Sequence, residues 1–283
     1  MSPRAREGWL DVAHELLGRQ TVREVSEALR PSGIDVMPLK GVFLHARVYT
    51  ERHQRRLSDV DVLVSPRRFE EARAELKRAG FSHEQPEAGA WQVTLKKPSG
   101  GLGVDLHRSF TATPRSCLDP DAMFAAGEPD EELFGARVVL PNRYDFYAHL
   151  LLHFASTRLL GGAVHHPEDF PASAAALELG PERCAQRLRV AGLARHAHFA
   201  LPMVAERTKD PFVPRLLAHL PMGAVDRLAV RAALAAERGP VGSMARRLAA
   251  LGLVSEPHTW FRILGAAPRQ RWRASRFGSG ASE

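Results

Sequence analysis

Two aspartates separated by one residue, Asp59 and Asp61, stand in the stretch Arg56-Leu-Ser-Asp-Val-Asp-Val-Leu-Val64. Val60, Val62 and Val64 alternate with them, so a strand here would bury one face and point both carboxylates from the other. Like charges on neighbouring same-face positions repel and raise each other's pKa unless a cation or hydrogen-bond donors lie between them. A divalent metal is the simplest remedy. Further on, Leu102, Val104 and Leu106 share one strand face, which leaves Gly103, Asp105 and His107 on the other. If this strand lies beside the first, Asp105 converges on Asp59 and Asp61.

The spacing alone means little, because a chain of this composition should produce about half an occurrence of Asp-x-Asp by chance. Asp119-Pro-Asp121 has the same spacing, but its proline sits in no alternating apolar pattern. Strand context therefore favours Asp59 and Asp61. Residues two apart on a strand lie about 6.6 Å apart along the backbone. Their side chains can lean together and bridge two ions about 3.5 to 4 Å apart, and carboxylate oxygens suit Mg²⁺.

Other groups that could join this chemistry lie close by in sequence. Lys40-Gly41 falls where a short apolar run, Ile34 to Leu39, gives way to a helical pattern over Val42 to Tyr49. Strand, glycine and helix in that order place free backbone N–H groups near an anion site, with Lys40 adding full charge. Arg56 or Lys40 could hold phosphate oxygens, Arg through its bidentate fork. Ser58 could contact phosphate or be satisfied by backbone. His107 is either a partner of the carboxylates or an acceptor-site residue. His149 and His153 have the i, i+4 spacing that can present two imidazoles to one metal, but lie among leucines without the Glu of His-Glu-x-x-His, which favours core or cleft-lining roles. His165-His166 and His196-x-His198 lie in less regular surroundings, and Asp169 reads as a helix cap or a cleft-bordering carboxylate.

The elements that position these residues follow in order. The first thirty residues read as two helices, the second opened by Thr21 with Glu24 as a capping box and closed near Ser32-Gly33. After the acidic strand, Ser65-Pro66 is expected to start a helix that ends at Gly80. Trp91 to Lys97 and Leu102 to Phe110 flank Pro98-Ser-Gly-Gly101 as a β-hairpin. Leu133 to Leu140 adds a small strand or hairpin. From Arg143 the pattern is helical almost throughout. These observations predict residues 1–140 as one unit, 141–267 as a helical unit, and 268–283 as a disordered basic tail containing Trp272.

With 283 residues and 45% apolar content, the chain can build a packed core. No apolar run approaches the roughly 20 residues of a membrane span, and Met1 to Glu7 lacks the apolar core of a signal peptide, so a soluble, cytoplasmic protein is expected. Cys117 and Cys184, the only cysteines, are too few for a disulfide framework and are expected to be buried thiols. A net charge of +7 with a pI near 10.0 suits a phosphate-rich partner but also accompanies Arg-rich chains with no nucleic-acid role. A nucleic acid is therefore a possible partner but not the favoured one.

Leu39-Lys-Gly41, the acidic strand, the helix ending in Ala79-Gly-Phe81, and Val104-Asp-Leu-His107 together resemble the family of uncharacterised nucleotidyltransferases, within the polymerase-β-like nucleotidyltransferase superfamily. The resemblance is specific over residues 34 to 110. It implies an α+β fold: a small mixed β-sheet flanked by helices, followed by a mostly α-helical C-terminal region. It also implies Asp59, Asp61 and Asp105 as catalytic metal ligands for Mg²⁺, two ions, with Mn²⁺ as an alternative. Lys40-Gly41 would be the phosphate turn, with Arg56, Ser58 and His107 near the nucleotide. The reaction implied is transfer of a nucleoside monophosphate from an NTP such as ATP to a hydroxyl of an acceptor in the cleft between the two halves. Many superfamily members carry Gly followed by Ser at the turn, whereas Val42 follows Gly41 here, so the hydroxyl contact is missing and Lys40 stands in its place. Two rival readings are a non-catalytic nucleotide- or phosphate-binding module of the same fold and a nucleic-acid-binding accessory protein.

Overall fold

The computed structural model describes residues 3–50, 55, 57–83, 90–97, 100–111, 116–159, 166–238 and 243–254. Arg56, His165 and the basic tail lie outside the described residues. A single helix, α1 (Pro3–Leu29), replaces the two expected. Gly18 is a packing position within it: a Cβ there would collide with the Leu57 side chain. Leu57, 1% exposed, thus rests on bare helix backbone, and that contact offsets the roughly 1 kcal/mol a mid-helix glycine costs. Thr21 is buried within the same helix and caps nothing.

The chain then turns through Gly33, at φ 64°, into β1 (Met37–Pro38), α2 (Lys40–Arg47) and β2 (Asp59–Leu63). The strand is shorter than the apolar run suggested: Val36 O accepts from Val139 N–H at 2.8 Å rather than from β2. Leu39 N–H still donates to Asp61 O at 2.9 Å and fixes how the chain leaves the sheet. Helix α3 begins at Phe69, not at Pro66, and ends at Arg78, with Gly80 at φ 91° just beyond. Arg68 N–H closes a turn on Ser65 O before the helix starts, and the Ser65 hydroxyl donates to Asp121 Oδ1 at 2.7 Å.

Next come β3 (Ser82–His83), β4 (Gln92–Lys96) and β5 (Gly103–His107). The five strands form a mixed sheet in the order β1-β2-β5-β4-β3. Strands β2 and β5 are parallel; the other pairs are antiparallel, including the expected β4–β5 hairpin. Val60, Val62, Val104 and Leu106 bury one face completely, each worth about 1.5 to 3 kcal/mol. Leu63 is also buried, so the carboxylate face is covered at its C-terminal end.

Helix α4 (Pro120–Ala125) leads to a two-stranded sheet of β6 (Glu128–Asp130) and β7 (Val138–Leu140). The helical part follows as α5 (Arg143–Leu159), α6 (Asp169–Ala176), α7 (Pro181–Val190), α8 (Ala194–Thr208), α9 (Phe212–Ala218), α10 (Ala224–Arg238) and α11 (Ser243–Gly252). The architecture is α+β. The core continues across residue 141: Phe43 of α2 meets Phe146 of α5 with ring centroids 4.2 Å apart, and Phe110 meets His149 at 5.0 Å. Cys184 is buried as expected, whereas Cys117 is only partly covered. No helix among the described residues is long and apolar enough to cross a membrane.

The decoy pair has structural work only. Asp119 caps α4, its Oδ1 accepting from Ala122 N–H at 2.9 Å, and Asp121 holds Ser65. Asp119→Ala should lower stability by about 1 kcal/mol in urea unfolding. An unchanged urea midpoint would contradict that assignment.

Candidate active site

Parallel pairing of β2 with β5 sets Asp61 opposite Asp105. Residues in register on neighbouring strands point to the same face, so both carboxylates enter one cleft of about 440 Å³. Asp59 lies two residues earlier on the same face, at the exposed mouth, where its Oδ1 accepts from the Ser58 hydroxyl at 2.9 Å. Partial withdrawal from water, followed by the charges of Asp61 and Asp105, raises the Asp59 carboxyl above its ordinary range.

Asp61 is 4% exposed. Burial would push its carboxyl up, but the Lys40 ammonium and the His107 imidazole outweigh that effect and hold it well below the usual range. Lys40 Nζ donates to Asp61 Oδ1 at 2.6 Å. His107 Nε2 lies 2.8 Å from the same oxygen; since an ionised carboxylate only accepts, the imidazole donates. Trp91 covers His107, with ring centroids 5.3 Å apart.

Lys40 reaches Asp61 from an unusual backbone. Its φ is 45°, a left-handed conformation at the first residue of α2, and a non-glycine residue held there stores on the order of 1 to 3 kcal/mol. Gly41 follows. A Cβ at Gly41 would lie 2.6 Å from the Arg55 Nη1 and 2.8 Å from Leu57 Cδ1, so the missing side chain makes room for an arginine.

Strand β4 supplies donors to Asp105. Thr94, its register partner, donates from Oγ1 to Asp105 Oδ1 at 2.6 Å, and Gln92 Nε2 approaches Oδ2 at 3.4 Å. The opposite wall comes from α5 and α6, with His153, Phe154 and Asp169 facing the cleft. Asp169 is not a cap. It accepts from the Tyr49 hydroxyl at 2.5 Å and from Arg55 Nε at 3.1 Å to each oxygen.

The sequence-predicted residues Lys40, Gly41, Ser58, Asp59, Asp61 and Asp105 all line this cleft, and His107 lies beneath it against Asp61. His149 is fully enclosed, with neither ring nitrogen bonded. Thr94, Gln92, Trp91, Tyr49 and Arg55 were missed. For Thr94 and Gln92 a signal existed, since the hairpin register through Pro98-Ser-Gly-Gly101 places them beside Asp105. Arg55 stands among other basic residues with nothing local to mark it.

Asp61, Asp105 and His107 each offer a ligand atom, all within 4.8 Å of one another. Burial first, and then the neighbouring Asp61 charge, disfavour the ionised Asp59 carboxyl, and a cation between the carboxylates would relieve the second effect. Asp61 and Asp105 supply the oxygen donors that a hard divalent cation takes, and so fit such an ion, while Asp59, two residues along the same strand face, lies outside that group. His107 is already committed to orienting Asp61.

Residues 11–209, which include every residue of this cleft, match a family model described as uncharacterised nucleotidyltransferase. No curated protein matches the chain. Among solved structures, the chain is similar to the crystal structure of ANT(2")-Ia in complex with adenylyl-2"-tobramycin. The two share 13% identity at a TM-score of 0.43, over 60% of this chain and 93% of that chain.

The cleft histidines give the protein a pH signature. Burial, followed by the nearby Lys40 charge, pushes His153 down to about 3, and burial also pushes His149 well down. A folded-state pKa below the unfolded value means that the unfolded chain takes up protons first as pH falls. Stability is therefore full above about pH 6.5 and drains away below it, by up to about 1.4 kcal/mol per pH unit per histidine. Between pH 6.5 and 5, above the ordinary carboxylate range, urea midpoints should fall more gently for His153→Gln than for wild type. Identical slopes would contradict a neutral, half-buried His153.

Proposed function

The chain belongs to the family of uncharacterised nucleotidyltransferases, and from that premise we propose that it transfers a nucleoside monophosphate from an NTP to a hydroxyl of an acceptor. The observation that carries this reading is the register that sets Asp61 opposite Asp105 in one cleft, with Lys40 on Asp61. Divalent cations held by Asp59, Asp61 and Asp105 would neutralise the triphosphate, lower the pKa of the acceptor hydroxyl and stabilise the departing pyrophosphate.

The chain's own residues do the rest. Lys40 and the first turn of α2 hold phosphate oxygens beside the carboxylates, with the Lys40 ammonium exchanging Asp61 Oδ1 for phosphate. Thr94 fixes Asp105 through Oδ1, which leaves Oδ2, with only the long Gln92 contact, to take the hydroxyl proton. The acceptor oxygen bonds the α-phosphorus, the α–β phosphoanhydride bond breaks, and pyrophosphate leaves. His107 keeps Asp61 oriented. Residues 1–140 carry the carboxylates, and α5 and α6 of the helical unit supply the wall against which the acceptor lies.

A nucleotide-binding module without transfer is favoured by one observation, the absence of a hydroxyl at Val42 after Gly41. Incubation with Mg²⁺, each NTP and a pool of hydroxyl-bearing metabolites, followed by mass analysis, separates the two readings. Wild type should release pyrophosphate and add one NMP mass to an acceptor. Asp61→Asn and Asp105→Asn should each lose more than about 100-fold. Tight Mg·NTP binding with no NMP adduct from any acceptor class would favour the module. Equal turnover by wild type and Asp61→Asn would place the chemistry elsewhere.

A further inference from the structure

The Arg55 guanidinium is held through one nitrogen by Asp169 of α6, and what this leaves unbonded among the described residues is its donor end. Its Nε is spent on Asp169, at 3.1 Å to each carboxylate oxygen. The Tyr49 hydroxyl donates to the same carboxylate at 2.5 Å. Burial, together with the Asp169 charge, pushes the Tyr49 phenol far up, so it stays a proton donor. Among the described residues, no hydrogen bond is made by the two terminal amines of Arg55, and the side chain lines the cleft together with Lys40, Gly41 and Asp59. Nη1 lies over Gly41, in space that any side chain at that position would occupy.

We propose that Arg55 is a triphosphate-gripping residue, and that Asp169 and Tyr49 are positioning residues that hold its guanidinium over Gly41. The proposal rests on the transferase reading only in requiring a triphosphate in this cleft. A guanidinium fixed through Nε presents Nη1 and Nη2 as a planar pair matched to two phosphate oxygens, and little of its freedom remains to be lost on binding. The paired Asp169 keeps the empty cleft from carrying an uncompensated arginine beside Lys40. Gly41, within α2, then has the duty of leaving room for Nη1, since alanine there would push it away. Asp169 stands on α6, so this arrangement also makes nucleotide affinity depend on the helical part of the chain.

The test is direct binding of the four Mg·NTPs and the four matching NMPs to wild type and variants of the full chain, with thermal melts in parallel. Arg55→Gln should weaken the preferred NTP by about 10- to 100-fold and its NMP by less than about threefold, because the lost contacts are to the outer phosphates. Gly41→Ala and Asp169→Asn should show the same triphosphate-selective loss, and Tyr49→Phe a smaller one. The double variant Arg55→Gln/Asp169→Asn removes both charges together and should regain melting temperature without regaining NTP affinity. If the double variant binds NTP like wild type, or if NTP and NMP weaken equally in Arg55→Gln, Arg55 is only a structural ion pair and the proposal falls. NTP binding lost in Asp61→Asn but kept in Arg55→Gln overturns the Arg55 assignment while leaving the transferase reading in place. A wild type that binds no NTP overturns both.

Discussion

A buried carboxylate facing a second carboxylate across a parallel strand pair is tolerable only while positive charge lies against it, and Lys40, 2.6 Å from Asp61, provides that charge. Much of the local structure serves this contact. The short strand β1, ended by Pro38 and tied to β2 through Leu39 N–H and Asp61 O, delivers Lys40 to the carboxylate. The left-handed backbone at Lys40 is the strain accepted for that delivery. His107 shares the same oxygen and fixes the carboxylate's direction. With Asp61 ionised by these neighbours, burial and then the Asp61 charge together raise the Asp59 carboxyl above its ordinary range.

Two glycines carry the same logic into the packing. Leu57 stands between Gly18 of α1 and Gly41 of α2 and would collide with a Cβ at either. Helix α1, the start of α2 and the approach to the acidic strand are therefore locked through one buried leucine. Arg55 uses the other side of Gly41 to meet Asp169 of α6. The site is thus joined to the helical region by an ion pair facing the cleft and by the apolar contact of Phe43 with Phe146 behind it.

The acidic core of the site was legible because strands have a period of two. Asp59 and Asp61 alternate with buried valines, Asp105 and His107 alternate with Val104 and Leu106, and the period alone sorted faces correctly. The same criterion rejected Asp119-Pro-Asp121, which turned out to cap a helix. What stayed hidden depends on contacts distant in sequence. Arg55 and Asp169 are 114 residues apart, and neither sits in a pattern that names the other. Thr21 and Glu24 read locally as a capping box that opens a second helix, whereas one helix runs through them, with Leu57 packed against its Gly18. Ser65-Pro66 has the composition of a helix start, but tertiary bonding of Ser65 to Asp121 takes the hydroxyl that would have capped it.

The proposed transfer requires Asp61 and Asp105 jointly to hold divalent metal against a nucleotide. Titration of Mn²⁺ followed by its electron spin resonance signal, with a non-hydrolysable α,β-methylene NTP present, tests it most directly. The account predicts that wild type sequesters about two Mn²⁺ per chain only when the nucleotide analogue is present, and that Asp61→Asn and Asp105→Asn each lose this occupancy while remaining folded. Equal Mn²⁺ occupancy in wild type and both variants would contradict it.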